Sequence, residues 1–187
     1  MSDIKIIFIR HGEAASAWGT HEDPCLSEIG LSQATNLIKH EKLSDLNDYL
    51  FISSPKLRAK ETAYPLAKKF KKEIIVDETF IEIPSKNISS DQKDIWLKEI
   101  VASKKDLLPE YIKSWSEQIF DKLMNIKNHS VIFTHFMVMN SVVSKITRSE
   151  TLLSFYPDYT SVLELVINNR KIKSYSMDES KKTYINL

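Results

Sequence analysis

An apolar run that stops abruptly in a polar cluster is the feature that most constrains this fold. Residues Ile4–Ile9 are almost all apolar and branched or aromatic, which is typical of a strand buried on both faces of a sheet. Arg10, His11, Gly12 and Glu13 follow directly, at the point where the strand should end. In open α/β sheets ligands bind beyond the carboxyl ends of strands, so this cluster is a candidate site. Because the pattern is so short, the alternative is that His11 has no function and is simply a hydrogen-bonded residue at the end of the strand.

Apolar runs of strand length alternate with amphipathic segments along the rest of the chain. Further strands are predicted over residues 49–52, 73–77, 131–134, 161–167 and 171–176. Helices are predicted from Ser27 onward and over residues 56–72, 95–101, 109–126 and 136–146. This alternation predicts an α/β fold of three layers, a sandwich with a mainly parallel central sheet flanked by helices. A chain of 187 residues is expected to form a single domain over residues 1–187.

Local signals refine the helices. Ser27 is predicted to cap the helix that follows it. One face of that helix is predicted to be buried, and it carries Leu31, Ala34, Leu37 and Ile38. Pro65 is predicted to interrupt or kink the helix over residues 56–72. The polar residues 85–94 are predicted to be mobile.

Composition argues against nucleic acid and membranes as partners and indicates where the protein is located. The chain carries 26 basic and 25 acidic residues, a net charge of +1, so bulk electrostatic attraction to nucleic acid or to a membrane surface is not expected. No apolar run reaches the length of a transmembrane helix, and the first residues do not resemble a signal peptide. The single cysteine, Cys25, excludes an internal disulfide and favours a reducing compartment. We therefore expect a cytoplasmic protein.

Polar side chains follow two further predicted strands at the point where each ends. Arg58 comes after the second strand, across Ser-Ser-Pro, and His135 comes after the strand over residues 131–134. If these strands are parallel neighbours of the first, their polar ends meet Arg10 and His11 in one pocket, with Glu82 approaching from a loop. Guanidinium groups bind phosphate oxygens bidentately. The sequence therefore predicts a phosphate-binding pocket.

Five segments, in order, resemble the histidine phosphatase superfamily, also called phosphoglycerate mutase-like. They are Arg10–Glu13, Leu26–Ala34, Ser53–Ala63, Phe80–Ile83 and Val131–His135. The first matches the family's Arg-His-Gly-Glu signature. The second and third resemble its Leu-Thr/Ser-Glu-x-Gly-x-x-Gln-Ala and Ser-Pro-x-x-Arg-Ala-x-x-Thr-Ala segments. The last two resemble the loop that carries the family's acid and the strand that carries its second histidine.

The resemblance implies a role for each matching residue. His11 would be the nucleophile that carries the phosphoryl group, and Arg10, Arg58 and His135 would hold the phosphoryl oxygens. Glu82 would be the general acid for the leaving oxygen and then the base for water; Glu13 and Glu78 are the alternative acids. Nearby arginines disfavour protonation of His11 and stabilise transferring charge, so no metal ion and no cofactor are expected.

Phe136 stands where the family often has glycine, which would narrow the pocket. Two other features favour a small phosphatase over a mutase. Trp18 with Gly19 replaces the Trp-Asn pair that mutases carry closer to the signature, and the chain is shorter than phosphoglycerate mutases usually are. The expected function is therefore metal-independent hydrolysis of phosphate monoesters through a phosphohistidine on His11. The substrate is either a phosphorylated small molecule or a phosphoprotein, including one phosphorylated on histidine.

Other functions remain open from the sequence. A phosphoglycerate mutase-type phosphotransferase would use the same residues. A metal-dependent hydrolase would use His11, His135 and an acidic residue such as Asp23, although no close cluster with metal-ligand spacing is present. A non-catalytic phosphoprotein-binding module would keep the pocket without turnover.

Overall fold

A six-stranded mixed sheet runs through the centre of the computed structural model, which describes residues 2–17, 20–85 and 87–178. Its strands are Ile4–Arg10 (β1), Leu50–Ser53 (β2), Ile74–Val76 (β3), Ser130–Thr134 (β4), Val162–Asn168 (β5) and Lys171–Met177 (β6). The helices are Glu28–Asn36 (α1), Leu57–Phe70 (α2), Lys93–Ala102 (α3), Glu110–Asn125 (α4) and Phe136–Ile146 (α5). The alternation predicted from the sequence is therefore present.

The strand order is β3-β2-β4-β1-β5-β6. The first four strands in this order are parallel, whereas β5 pairs antiparallel with β1 and β6 pairs antiparallel with β5. The predicted α/β fold with a mainly parallel sheet is confirmed, and the late hairpin accounts for the two antiparallel strands. Because β2, β4 and β1 are neighbours, their carboxyl ends lie side by side.

Two hydrophobic cores lie on opposite faces of this sheet. Successive side chains of a strand point to opposite faces, and β1 follows this rule. Ile6 and Phe8 pack in the core that contains residues of α3, α4 and α5, and Ile7 and Ile9 pack in the core that contains residues of α2. β1 is thus buried on both faces, as its composition predicted, and the molecule has three layers.

The buried face of α1 differs from the predicted one. Leu31 is 50% exposed, whereas Gly30 and Ala34 are buried and the chain continues into a buried Leu37. Residues 30, 34 and 37 share one helical face, and Leu31 is turned about 100° away from it. Gly30 faces inward because the helix approaches the backbone at Glu13 too closely for a side chain. Ser27 caps α1 as predicted, accepting a hydrogen bond from the Gly30 amide.

Pro65 does not interrupt α2, which continues from Leu57 to Phe70; the predicted interruption was wrong. The polar segment over residues 85–94 contains a 3₁₀ turn at Ser90–Gln92 and the start of α3 at Lys93. Among the described residues, no helix combines the length and apolarity that crossing a membrane requires.

Candidate active site

The end of β1 and the segments that follow β1, β2 and β4 line a cavity of about 230 Å³. Backbone hydrogen bonds continue past the strands, from the His11 amide to the Thr134 carbonyl (2.9 Å) and from the Ser54 amide to the Phe133 carbonyl (3.0 Å). The predicted residues Arg10, His11, Arg58 and Glu82 line this cavity, and His135 contacts Arg58 beside it. The structure thus brings together all five predicted residues.

The His11 ring is held with one nitrogen toward the cavity. Its Nδ1 lies 2.7 Å from the Gly12 carbonyl oxygen, and because a carbonyl only accepts, Nδ1 carries the proton. The Nε2 lone pair accepts a hydrogen bond from Arg58 Nε at 3.2 Å. Burial, followed by the charges of Arg58 and Arg10, holds the pKa of His11 well below its usual value. The ring is therefore a neutral imidazole with an available lone pair.

Two glycines allow the loop after β1 to pack directly against α1. A Cβ on Gly12 would lie 2.7 Å from the Gly30 carbonyl oxygen, and a Cβ on Gly30 would lie 2.1 Å from the Glu13 carbonyl oxygen. The amide of Gly12 also donates to Thr62 Oγ1 (3.0 Å), whose hydroxyl donates to the Arg58 carbonyl (2.7 Å). The segments after β1, at the start of α1 and in α2 therefore hold His11 and Arg58 as one unit.

Neither alternative acid lines the cavity. The carboxylate of Glu13 accepts a hydrogen bond from the Ser27 hydroxyl (2.7 Å), and its amide donates to Gln33 Oε1 (2.8 Å). These contacts join the loop after β1 to α1. Glu78 is exposed in a 3₁₀ turn after β3. Glu82 is the carboxylate that the structure places next to the two arginines.

The Glu82 carboxylate is held by backbone amides at the amino end of α5. Its Oε1 accepts from the Met137 amide (3.1 Å) and from its own neighbour, the Ile83 amide (2.9 Å). Burial raises the pKa of Glu82 above its usual value, although these amides and the charges of Arg58 and Arg10 oppose the shift. Glu82 thus retains its proton to a higher pH than an exposed carboxyl group does.

Arg10 is held by groups that sequence reasoning missed. Its Nη1 donates to the Pro157 carbonyl (2.8 Å), and its guanidinium carbon lies 4.2 Å from the ring centre of Tyr159 and 5.1 Å from that of Phe136. Its Nε is buried without a hydrogen-bond partner among the described residues. Phe136 therefore packs on Arg10, and no local pattern in the sequence indicated the loop that carries Tyr159.

The cavity is built for an anion. Across the described residues, no group of three or more His, Cys, Asp or Glu side chains is placed to hold a metal ion. Asp23, the carboxylate considered for a metal site, instead accepts from the Leu57 amide (2.9 Å) at the start of α2. Arg10 and Arg58 line the cavity, where a phosphoryl group would accept hydrogen bonds from guanidinium donors. Trp18 and Gly19, noted above as a departure from the mutases, lie outside the described residues.

A known protein family and several solved structures resemble this chain. The family model described as histidine phosphatase superfamily (branch 1) matches residues 6–179. No curated protein sequence matches the chain. Among solved structures, a phosphoserine phosphatase from Entamoeba histolytica superposes with a TM-score of 0.72 at 22% identity, covering 98% of this chain and 100% of that one.

Two other solved structures have a similar fold. A mycobacterial glucosyl-3-phosphoglycerate phosphatase has a TM-score of 0.71 at 16% identity, with 95% of this chain and 98% of that chain covered. A phosphoglycerate mutase from Bacillus anthracis has a TM-score of 0.66 at 19% identity, with 96% and 93% covered. At these identities the likeness establishes a phosphoglycerate mutase-like fold.

Proposed function

We propose that this chain, which belongs to the histidine phosphatase superfamily (branch 1) and is a phosphatase, hydrolyses small phosphate monoesters without a metal ion. The reaction passes through a phosphohistidine on His11. The observation that carries this proposal is the neutral His11 ring, whose Nε2 lone pair lies 3.2 Å from Arg58 Nε in a cavity that Arg10 also lines. A nucleophile and two phosphate-binding cations thus share one site.

The first step transfers the phosphoryl group to the protein. The Nε2 lone pair of His11 forms a bond to phosphorus as the bond between phosphorus and the ester oxygen breaks. That oxygen takes the proton of Glu82 and leaves as an alcohol. Arg10, Arg58 and His135 hold the three remaining oxygens and stabilise their charge, which is the main contribution a protein makes to this kind of transfer.

The second step releases phosphate. Glu82, now a carboxylate, takes a proton from water while the water oxygen attacks phosphorus. The bond from phosphorus to Nε2 breaks, its electron pair returns to His11, and Glu82 is again protonated. The site returns to its starting state with no external donor or acceptor of electrons.

The shape of the cavity supports a small substrate over a phosphoprotein. Its volume of about 230 Å³ suits a phosphoryl group with a compact organic part. Apolar side chains of Ile83, Leu97 and Met137 form part of its wall and would contact that organic part. Similar folds include phosphatases named for phosphoserine and for glucosyl-3-phosphoglycerate, both small phosphorylated molecules.

The decisive experiment is trapping of the intermediate on pure protein with an aryl phosphate and no added metal. The adduct should be labile in acid and stable in alkali, as a phosphoramidate is, and His11→Ala should abolish it. Labelling that persists in the variant, or that is found on serine, would contradict the assignment.

A substrate panel separates the remaining alternatives. Complete loss of activity with EDTA, restored by a divalent cation, would show a metal-dependent hydrolase. Transfer of phosphate to a second hydroxyl in preference to water would show a mutase. Turnover confined to phosphoproteins would show the protein phosphatase, and binding of phosphoproteins without turnover would show the binding module.

A further inference from the structure

Both ring nitrogens of the buried His135 have protein partners in the open site. His135 precedes α5 and is fully buried. Its Nδ1 lies 3.3 Å from Arg58 Nη2, and its Nε2 lies 2.6 Å from Ser54 Oγ. Ser54 is also fully buried and follows β2. The chemistry of these two partners determines where the His135 proton lies.

A guanidinium group has donors only, so Nδ1 of His135 must be the acceptor toward Arg58. A neutral imidazole carries one proton, which therefore lies on Nε2 and is donated to the Ser54 oxygen. The ring is neutral because it is buried and is approached by cations: Arg58 on α2, Lys56 before it, and Arg10 on β1, with His11 beside them. Burial first, then Arg58, holds the pKa of His135 well below its usual value.

We propose that Ser54 is a positioning residue that accepts the Nε2–H of His135 and so holds the ring with its Nδ1 toward Arg58 and the phosphoryl site. This inference rests on the proposed function, because it concerns how the same site receives phosphate. Ser54 suits the role because its amide donates to the Phe133 carbonyl (3.0 Å) and its Oγ also accepts from the Lys56 amide (3.3 Å). Its hydroxyl oxygen is thus fixed between β2, β4 and the start of α2.

The tautomer has a consequence for substrate binding. A phosphoryl oxygen can displace Nδ1 as the partner of Arg58 Nη2, but it repels a bare lone pair. Nδ1 must then gain a proton, taken from solvent, to donate to that oxygen. Two negative charges of the phosphoryl group offset the surrounding cations that disfavour this proton in the open site. His135 becomes an imidazolium, its Nε2–H remains on Ser54, and binding takes up one proton.

Nitrogen NMR of protein labelled with ¹⁵N-histidine tests the first half of the inference without any turnover. In the ligand-free protein, His135 should show a protonated Nε2 and an unprotonated Nδ1. Inorganic phosphate should convert it to a ring protonated at both nitrogens. A resting ring protonated on Nδ1, or a phosphate-bound ring with a bare Nε2, would overturn the assignment of Ser54 as the acceptor.

Variants test whether Ser54 itself is responsible. Ser54→Ala should leave the resting tautomer unchanged, because Arg58 sets it, and should weaken binding of inorganic phosphate about tenfold, as expected for loss of a hydrogen bond to the charged ring. The matched control is Ser53→Ala, since Ser53 is an equally buried serine whose hydroxyl donates to the Ser54 carbonyl and not to the histidine. The control should bind phosphate within about twofold of the wild type.

Proton uptake provides an independent measurement. Calorimetric titration with inorganic phosphate, in buffers of different ionisation enthalpy, should show uptake of one proton by the wild type and by Ser53→Ala. Unchanged phosphate affinity in Ser54→Ala, or phosphate binding by the wild type without proton uptake, would refute the proposal. If the tautomer is as proposed but no phosphohistidine forms on turnover, the proposed function fails and the role of Ser54 stands.

Discussion

At the scale of single residues, burial shifts the pKa values of His11 and Glu82 in the directions that the proposed first step requires. Burial lowers the pKa of His11 and raises the pKa of Glu82, because in both groups it disfavours the charged state. Both shifts favour the neutral form, with an unprotonated Nε2 on His11 and a proton on Glu82. The cations Arg10 and Arg58 reinforce the first shift and oppose the second.

Arg58 touches both histidines, so its removal should be costly. Arg58→Ala should lower kcat/KM by about ten- to more than a hundredfold, because charge-assisted hydrogen bonds contribute roughly 1.5–3 kcal/mol each. Arg58→Lys should restore little activity, since an ammonium group cannot reproduce the donors from Nε and Nη2. Steady-state kinetics of both variants checks this, and near-wild-type activity of the lysine variant would contradict it.

Glu82 is tested by changing the leaving group. Glu82→Gln should lose most of the roughly 10²–10⁴-fold contribution of general acid catalysis on alkyl phosphates. Phosphoryl transfer from nitrophenyl phosphate should be much less impaired, because the departing phenolate needs no proton. The second step lacks its base, so phosphoenzyme should accumulate as a burst in pre-steady-state measurements. Equal losses for both substrates, without a burst, would assign the acid role elsewhere.

The raised pKa of Glu82 predicts how activity depends on pH. Because the pKa of Glu82 is raised, activity on alkyl phosphates should persist above the usual carboxyl range and then fall as the pH rises through the shifted pKa. Glu82→Gln should lack this alkaline decline. A decline that remains in the variant would identify another group as its source.

At the scale of elements, α1 works as a support for the loop after β1. The contacts of Gly30 with Glu13 and of Gly12 with Gly30 are main-chain approaches, so the helix can lie there only if both residues lack a side chain. The contacts of Ser27 and Gln33 with Glu13 add side-chain hydrogen bonds to the same support. Glu13 therefore contributes to the site by holding His11 in place.

Gly30→Ala tests this support. The new methyl group would lie 2.1 Å from the Glu13 carbonyl oxygen, so the backbone must shift, at a cost of about 1–3 kcal/mol or more in the free energy of unfolding. Activity should fall as well, because the shift displaces the residues after His11. The matched control is Leu31→Ala on the same helix, which is 50% exposed and should change stability by no more than about 0.5 kcal/mol. Denaturant unfolding and kinetics of both variants decide the matter.

At the scale of the whole molecule, the site depends on segments from most of the chain. The groups that contact Arg10, His11, Arg58 or His135 come from several places in the chain. They lie at or just after the ends of β1, β2 and β4, in α2, and in the loop before β5. An anion bound there therefore links elements from both halves of the chain. Its binding energy should appear as stability of the fold as a whole.

Thermal unfolding measures this coupling. Inorganic phosphate at 100 times its Kd should stabilise the protein by ~2.7 kcal/mol. For a chain of this length that corresponds to a rise in Tm of about 5–10 °C. Arg58→Ala should show little of this rise, and chloride at the same ionic strength provides the control for salt screening. An equal rise with chloride, or in the variant, would place phosphate elsewhere.

The sequence by itself determined the elements and the chemistry at their ends. The apolar run before Arg10 and His11 fixed β1 as a doubly buried strand, and the run before His135 did the same for β4, because side-chain periodicity is a local property. The predicted residues Arg10, His11, Arg58, Glu82 and His135 meet because parallel neighbours present their carboxyl ends together.

Only the tertiary structure decided which groups tune these residues. Three features join segments that are distant in sequence. They are the close approach of Gly30 to Glu13, which leaves Leu31 exposed, the contact of Tyr159 with Arg10, and the hydrogen bond from His135 to Ser54. Such contacts depend on how helices and loops pack against the sheet. The spacing of apolar residues along the sequence does not encode these packing distances. The identity of the candidate site residues is thus local information, whereas their protonation and orientation follow from burial and from partners that folding brings near.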